Sequence, residues 1–337
     1  MMLDGQQEKQ QQQQQQQYAI AFDRAVKTGT LSETSRANYV ARITAMERET
    51  GLTGDSMLRN PAATCKAIQA RTKGVPQTKR AYLTAFMAAF RHDEDLKTGP
   101  HANARKGFRD CFDDVDRVVQ ERYDSNQPNQ RQRDAYLPWN EVLQKRDALP
   151  HDSQDYLIMS LYTMIPPLRA DFGCVRVLRT EPDTPEAAKD GNYIVVRAGK
   201  YARLVLNEFK TKSKNMMQYN KVLPKDLQAV IENSLGLGGQ DKKTTPKTTR
   251  THLIVSTRTG QPLRDNTYVV YVHRVLNKCL GKKVSISMLR HIFVNSLDFN
   301  RLTAKQKEEI SADMLHSVST NDRYRLLFND DDDDDQV

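Results

Sequence analysis

Two stretches near the C-terminal end decide how this chain is read: ISMLRHIF at residues 286–293 and DMLHSVSTNDRYR at residues 313–325. The first sets an apolar helical pattern around Arg290 and His291, with Ser287 one turn before the arginine. The second carries His316 and, eight positions later, Tyr324. Upstream, IPPLRADF at 165–172 places Arg169 just after an apolar helical run. EFKTKSK at 208–214 puts Lys210 and Lys212 in an exposed turn between β-rich segments. Taken singly, each has an ordinary explanation. A helix arginine is usually a surface ion pair, a turn lysine is usually solvated, and a tyrosine beside a helix is usually packing. Taken in order, they form a set suited to a phosphodiester. Two guanidiniums can grip non-bridging oxygens in bidentate fashion, beside a mobile ammonium, an imidazole and a phenolic hydroxyl.

The charge of the chain agrees with a polyanionic partner. Its 337 residues hold 51 Lys+Arg against 42 Asp+Glu, a net +9. Six of those acids form one run, Asp330 to Asp335; apart from it, 51 basic residues face 36 acidic ones, a surplus of +15. Such a surplus is the electrostatic footprint of a nucleic-acid binder. Other classes drop out. A mean hydropathy of −0.71, with no apolar run near the ~18 residues of a membrane span, leaves no membrane partner to expect. The N-terminus lacks a secretory pattern. Cys65, Cys111, Cys174 and Cys279 are scattered, with no CxxC pair and no Cys/His cluster. Neither a disulfide framework nor a zinc site is expected, and a reducing intracellular setting is the default. There is no phosphate-binding GxxxxGK[ST] loop, no GxGxxG, no HExxH and no GxSxG.

Residues 1–17 are low in complexity and end in a glutamine run, so a disordered tail is expected. From Tyr18 the pattern turns helical. Ser32 precedes an amphipathic run with Tyr39, Ile43 and Met46; Tyr82, Phe86 and Phe90 share a face, as do Phe108, Phe112, Val115 and Val119. Residues 18–124 therefore read as an all-helical domain, whose Arg71, Lys73, Lys79, Arg80, Arg105 and Lys106 suit either a solvated face or a phosphate-tracking surface. The polar, apolar-free start of 125–135 reads as a linker. Residues 136–329 mix helices with short β runs at 193–197, 202–206, 221–224 and 253–256, and 330–337 form an acidic tail. Helices are expected near 266–280, 287–297, 303–315 and 322–328. The expected fold class is mainly α with a small antiparallel β-sheet in the C-terminal domain.

The ordered set Arg169, Lys210, Ser287-Met-Leu-Arg290-His291, His316 and Tyr324 resembles the tyrosine recombinase (phage integrase) family. The resemblance covers most of the chain. TSRANY at 34–39 and PQTKRAY at 76–82 look like its helical core-binding domain, and about 136–328 look like its catalytic domain. The IPPLR form is closer to recombinases of eukaryotic mobile elements and large DNA viruses. The resemblance implies a two-domain clamp on double-stranded DNA and a homo-tetramer on paired DNA sites. It implies that Tyr324 forms a covalent 3′-phosphotyrosine, that Arg169 and Arg290 hold the phosphate, and that His316 hydrogen-bonds it. A turn lysine, Lys210 or alternatively Lys212, would protonate the leaving 5′-oxygen. It implies no metal, no ATP and no other cofactor. The segment after the nucleophile often docks on a neighbouring protomer in this family. The expected setting is intracellular, and nuclear in a eukaryotic host. The chain departs from the family pattern at four points. Ser287 stands where the family usually has His, and Leu315 where it has Gly. Asp171 follows the first arginine by two positions rather than three, and the His-to-Tyr gap is one residue short. Type IB topoisomerase chemistry and a catalytically inactive DNA-binding protein are the alternatives.

Overall fold

The computed structural model describes residues 17–98, 101–209, 219–237 and 250–328. Lys210, Lys212, most of the glutamine-rich tail and the acidic run lie outside the described residues. The chain divides into two compact units, Met1–Ser125 and Asn126–Val337.

The first unit is helical among its described residues: α1 Gln17–Lys27, α2 Glu33–Thr50, α3 Gly54–Arg59, α4 Pro61–Arg71, α5 Pro76–His92 and α6 His101–Asp124. Local chemistry sets these limits. Ser32 caps α2 by accepting from the Ser35 N–H, and Gly51 closes it in the left-handed region at φ 70°. Thr53 and Asn60 cap α3 and α4, while Pro61 and Pro76 occupy first turns. Phe22, Ile43, Met46, Leu83, Phe86 and Phe108 fill the core. Helix α6 passes so close to α4 that a Cβ at Gly107 would lie 2.7 Å from the Pro61 ring. One expectation is corrected here. Cys65 of α4 and Cys111 of α6 pair as a disulfide, Cα atoms 6.8 Å apart. A separation of 46 residues gave no spacing signal; helix packing makes the pair.

The second unit begins with α7 Gln130–Ala135, α8 Trp139–Asp147 and α9 Gln154–Thr163. Helix α7 lies inside the stretch read as a linker. Its polar residues serve as a capping box, Asn129 with Gln132, and Ala135 joins the core. Strands β1 Arg176–Leu178, β2 Tyr193–Arg197, β3 Tyr201–Leu206 and β4 Tyr219–Val222 form one sheet in that order, with α10 Pro185–Lys189 between β1 and β2. The sheet is mixed rather than antiparallel: β1 runs parallel to β2, and the other pairs are antiparallel. The α10 crossover returns the chain to the starting end, as a parallel pair requires. The run 253–256 is no strand. It makes isolated bridges, with the Leu253 N–H bonded to Val175 O and the Val177 N–H to Thr251 O alongside β1. The chain continues through α11 Lys225–Ser234, α12 Asp265–Leu280, α13 Ile286–Asn295, α14 Ala304–Asp313 and α15 Val318–Tyr324. The expected last helix, 322–328, is thus earlier: α15 ends at Tyr324, and Arg325 is extended at φ −66°, ψ 132°. Fully buried Tyr162, Phe172, Leu204, Ile231, Tyr268 and Leu289 mark the core beneath the site.

Candidate active site

Helix α13 carries the centre of the site. Ser285 caps it, and Ile286, Met288, Leu289, Ile292 and Val294 draw it into the core. Arg290 is drawn in with them and retains 0% exposure, the largest fully buried side chain. A guanidinium stripped of water must spend its N–H groups on acceptors. Arg290 Nη1 donates to Pro167 O, Nη2 to Met314 O at 3.1 Å, and Nε to the Tyr324 hydroxyl at 3.1 Å. Its Cζ lies 4.9 Å from the Tyr324 ring centroid. Burial lowers its pKa. It still stays charged, as arginine does in proteins.

Arg169 arrives on the turn after α9, where Pro166 and Pro167 prevent the helix from continuing. Three bonds fix its backbone and side chain. The Tyr162 hydroxyl donates to Arg169 O at 2.8 Å, the Arg169 N–H to Asp171 Oδ2 at 2.9 Å, and Arg169 Nη1 to Leu315 O at 3.1 Å. Asp171 thus orients the arginine through its main chain, despite its two-residue spacing. Burial raises the Asp171 pKa, against the pull of its bond to the Arg169 amide and of both arginines. Among the described residues, neither Arg169 nor Arg290 forms an ion pair. Arg169 opens onto a cleft of about 840 Å³ lined also by Arg176, Arg264, His252 and Asn192.

The 314–316 turn joins these parts. Leu315 sits in the left-handed region at φ 55°. That conformation disfavours a branched residue by about 1–2 kcal/mol. Leu315 offsets the strain by burying its side chain. The turn aims the Met314 carbonyl at Arg290 and the Leu315 carbonyl at Arg169. It also lays the His316 ring against Tyr324, centroids 5.4 Å apart and 27° from parallel. His316 Nδ1 is 3.0 Å from Ser317 O, so that nitrogen carries the proton. Its Nε2 is then an acceptor, buried and without a partner among the described residues. Burial, reinforced by the two arginines, pushes the His316 pKa down to about 4, against the pull of the Ser317 carbonyl.

The structure therefore brings Arg169, Arg290, His316 and Tyr324 together, with Ser287 making no bond to any of them among the described residues. Ser287 is exposed and lines a depression of about 140 Å³ with Lys283, Ser285, Arg131 and His291. His291, quoted in the motif but given no role, closes the site from behind: its Nδ1 donates to Tyr324 O at 2.7 Å. The Arg-His adjacency was its only sequence signal. β3 and β4 flank the residues holding Lys210 and Lys212, and Lys221 of β4 pairs with Asp313, next to the turn.

No family model matches the chain, and no curated protein matches it. Among solved structures the chain is similar to the crystal structure of XerA recombinase, at 15% identity, covering 93% of this chain and 94% of that one with a TM-score of 0.39.

Proposed function

We propose that the chain is a DNA strand transferase that cuts and rejoins DNA through a covalent bond to Tyr324, in the manner of tyrosine recombinases. One observation carries this reading. A tyrosine hydroxyl lies 3.1 Å from the Nε of a fully buried arginine that forms no ion pair among the described residues, with the Asp171 carboxylate acting on it only through space. Two buried or half-buried cations facing one carboxylate leave a net positive charge that is expensive, and such an arrangement suits a site where an anion is to bind.

On this reading the scissile phosphate sits between Arg169 and Arg290, whose N–H groups hold its non-bridging oxygens and stabilise the charge that grows during displacement. The Tyr324 oxygen passes its proton to water as it attacks phosphorus; the P–O5′ bond breaks, and Lys210 or Lys212 protonates the departing oxygen. The phosphotyrosine conserves the energy of the linkage, and attack by a 5′-hydroxyl reverses the step. His316 has a specific part. Neutral in the free protein, it is an acceptor at Nε2; a phosphate placed beside it favours the imidazolium, which donates. Ser287 takes no such part. The two units would clamp double-stranded DNA, and four copies would pair two sites to exchange strands in a mobile element. In a eukaryotic host that work lies in the nucleus.

The test is trapping on a nicked duplex from which the short 5′-hydroxyl strand diffuses away. The wild-type chain is expected to accumulate a covalent adduct, mapped to Tyr324 by mass spectrometry. A chain that binds DNA and yields no adduct would refute the assignment.

A further inference from the structure

The chain leaves helical geometry at Tyr324, so hydrogen bonds within α15 do not fix the residues that follow. They are nevertheless held. Asn295, the last residue of α13, spends both ends of its side-chain amide on one backbone unit. Its Oδ1 accepts from the Leu326 N–H at 2.8 Å, and its Nδ2 donates to Leu326 O at 2.8 Å. This is the pairing a neighbouring strand would give. Leu326 is buried, the Leu327 N–H donates to Asn126 O at 2.9 Å, and the Phe328 ring lies 4.4 Å from that of Tyr136. Every one of these partners is in the same unit of the same chain.

The contacts on α13 share a pattern. Arg290, His291 and Asn295 lie within one arc of about 140° on the helix. They bind in turn the Tyr324 hydroxyl, the Tyr324 carbonyl and the Leu326 backbone. One helix therefore holds the reactive oxygen and the strap that limits where it can go.

We infer that Asn295 is a positioning residue that clasps the post-nucleophile segment within its own protomer and so holds Tyr324 in place beside Arg290. This rests on the reading of Tyr324 as nucleophile.

Full-length Asn295→Ala and Asn295→Asp test it by two routes. The aspartate keeps the acceptor for the Leu326 N–H and loses the donor. Without DNA, hydrogen exchange across 325–328 should quicken by about tenfold or more in Asn295→Ala and by less in Asn295→Asp, with the core of α13 unchanged. On nicked DNA at saturation, adduct formation should slow by about tenfold in Asn295→Ala, with affinity and thermal midpoint unmoved. Unchanged exchange in Asn295→Ala overturns the clasp, and so does a rate that falls only in step with thermal stability. If the wild-type chain itself forms no adduct, the proposed function fails while the exchange arm still judges the clasp.

Discussion

Three arginines of the first unit and two of the second are treated in opposite ways, although other arginines of the second unit, such as Arg176 with Asp190 and Arg203 with Glu181, are paired like those of the first. In the first unit Arg36, Arg71 and Arg80 lie partly in solvent and each meets a carboxylate: Asp23, Glu49 and Asp116. Its buried Thr64 and Thr72 hydroxyls donate to the Met57 and Ile68 carbonyls. In the second unit Arg169 and Arg290 are turned toward neutral carbonyls, and a buried imidazole keeps an open nitrogen. Hydrogen bonds to carbonyls satisfy a guanidinium's geometry without cancelling its charge. The first unit therefore has little uncompensated charge at these positions, while Arg169 and Arg290 keep theirs with no ion pair among the described residues.

The strongest way to break this contrast is Tyr324→Phe, which removes one oxygen from the charged site. Covalent adduct should vanish, while DNA affinity stays within about twofold because many phosphate contacts carry it. Adduct that survives the change would move the chemistry elsewhere.

Replacing an arginine in each unit sharpens it. Arg290→Ala opens a cavity and strands the Pro167 and Met314 carbonyls, so chemical denaturation should show a loss of about 3 kcal/mol. Arg80→Ala, at a partly solvated pair, should lose less than about 1 kcal/mol. Equal losses would erase the distinction.

Acid should act on the second unit through His316. Its folded pKa of about 4 lies below the ordinary 6.5, so the unfolded chain binds more protons between those values. Stability is therefore full above pH 6.5 and falls as pH drops toward 4. One group can contribute about 3 kcal/mol over that window. Burial lowers the pKa of His92, His252, His273 and His291 as well, adding slope in the same direction. Unfolding curves of His316→Gln should show a visibly flatter acid limb. An unchanged limb would mean that His316 is not the buried titrating group.

Much of this was legible in the sequence, for reasons that can be named. The helices of the first unit follow from a 3.6-residue apolar repeat and its caps, and Arg169, Arg290, His316 and Tyr324 fell in an order that chemistry could interpret. What escaped depended on through-space facts. Three-residue β1 has too few side chains to show a period, so its parallel pairing made an expected antiparallel sheet mixed. Asn129 and Gln132 look like linker residues until their amides close a capping box. Ser287 held the motif position of an active-site residue, yet its place on α13 turns it to the depression that His291 also lines. Asn295 has no signal at all before Leu326 is seen across from it.

The smallest effect concerns a counter-charge the chain carries itself. Leu326, Leu327 and Phe328 are anchored on the second unit, and six aspartates follow from Asp330. Charges tethered so near two unpaired arginines should compete with DNA phosphates for them, and competition between charges weakens as ions screen it over about 10 Å at 0.1 M salt. Truncation after Asn329 should therefore raise DNA affinity by a few-fold at low salt, with the gain shrinking as salt rises. The full-length chain should still lose affinity steeply with salt, because released counterions drive binding to DNA. Affinities equal at low ionic strength would leave the aspartates without an electrostatic part. A gain that persisted at high salt would point to steric rather than charge competition.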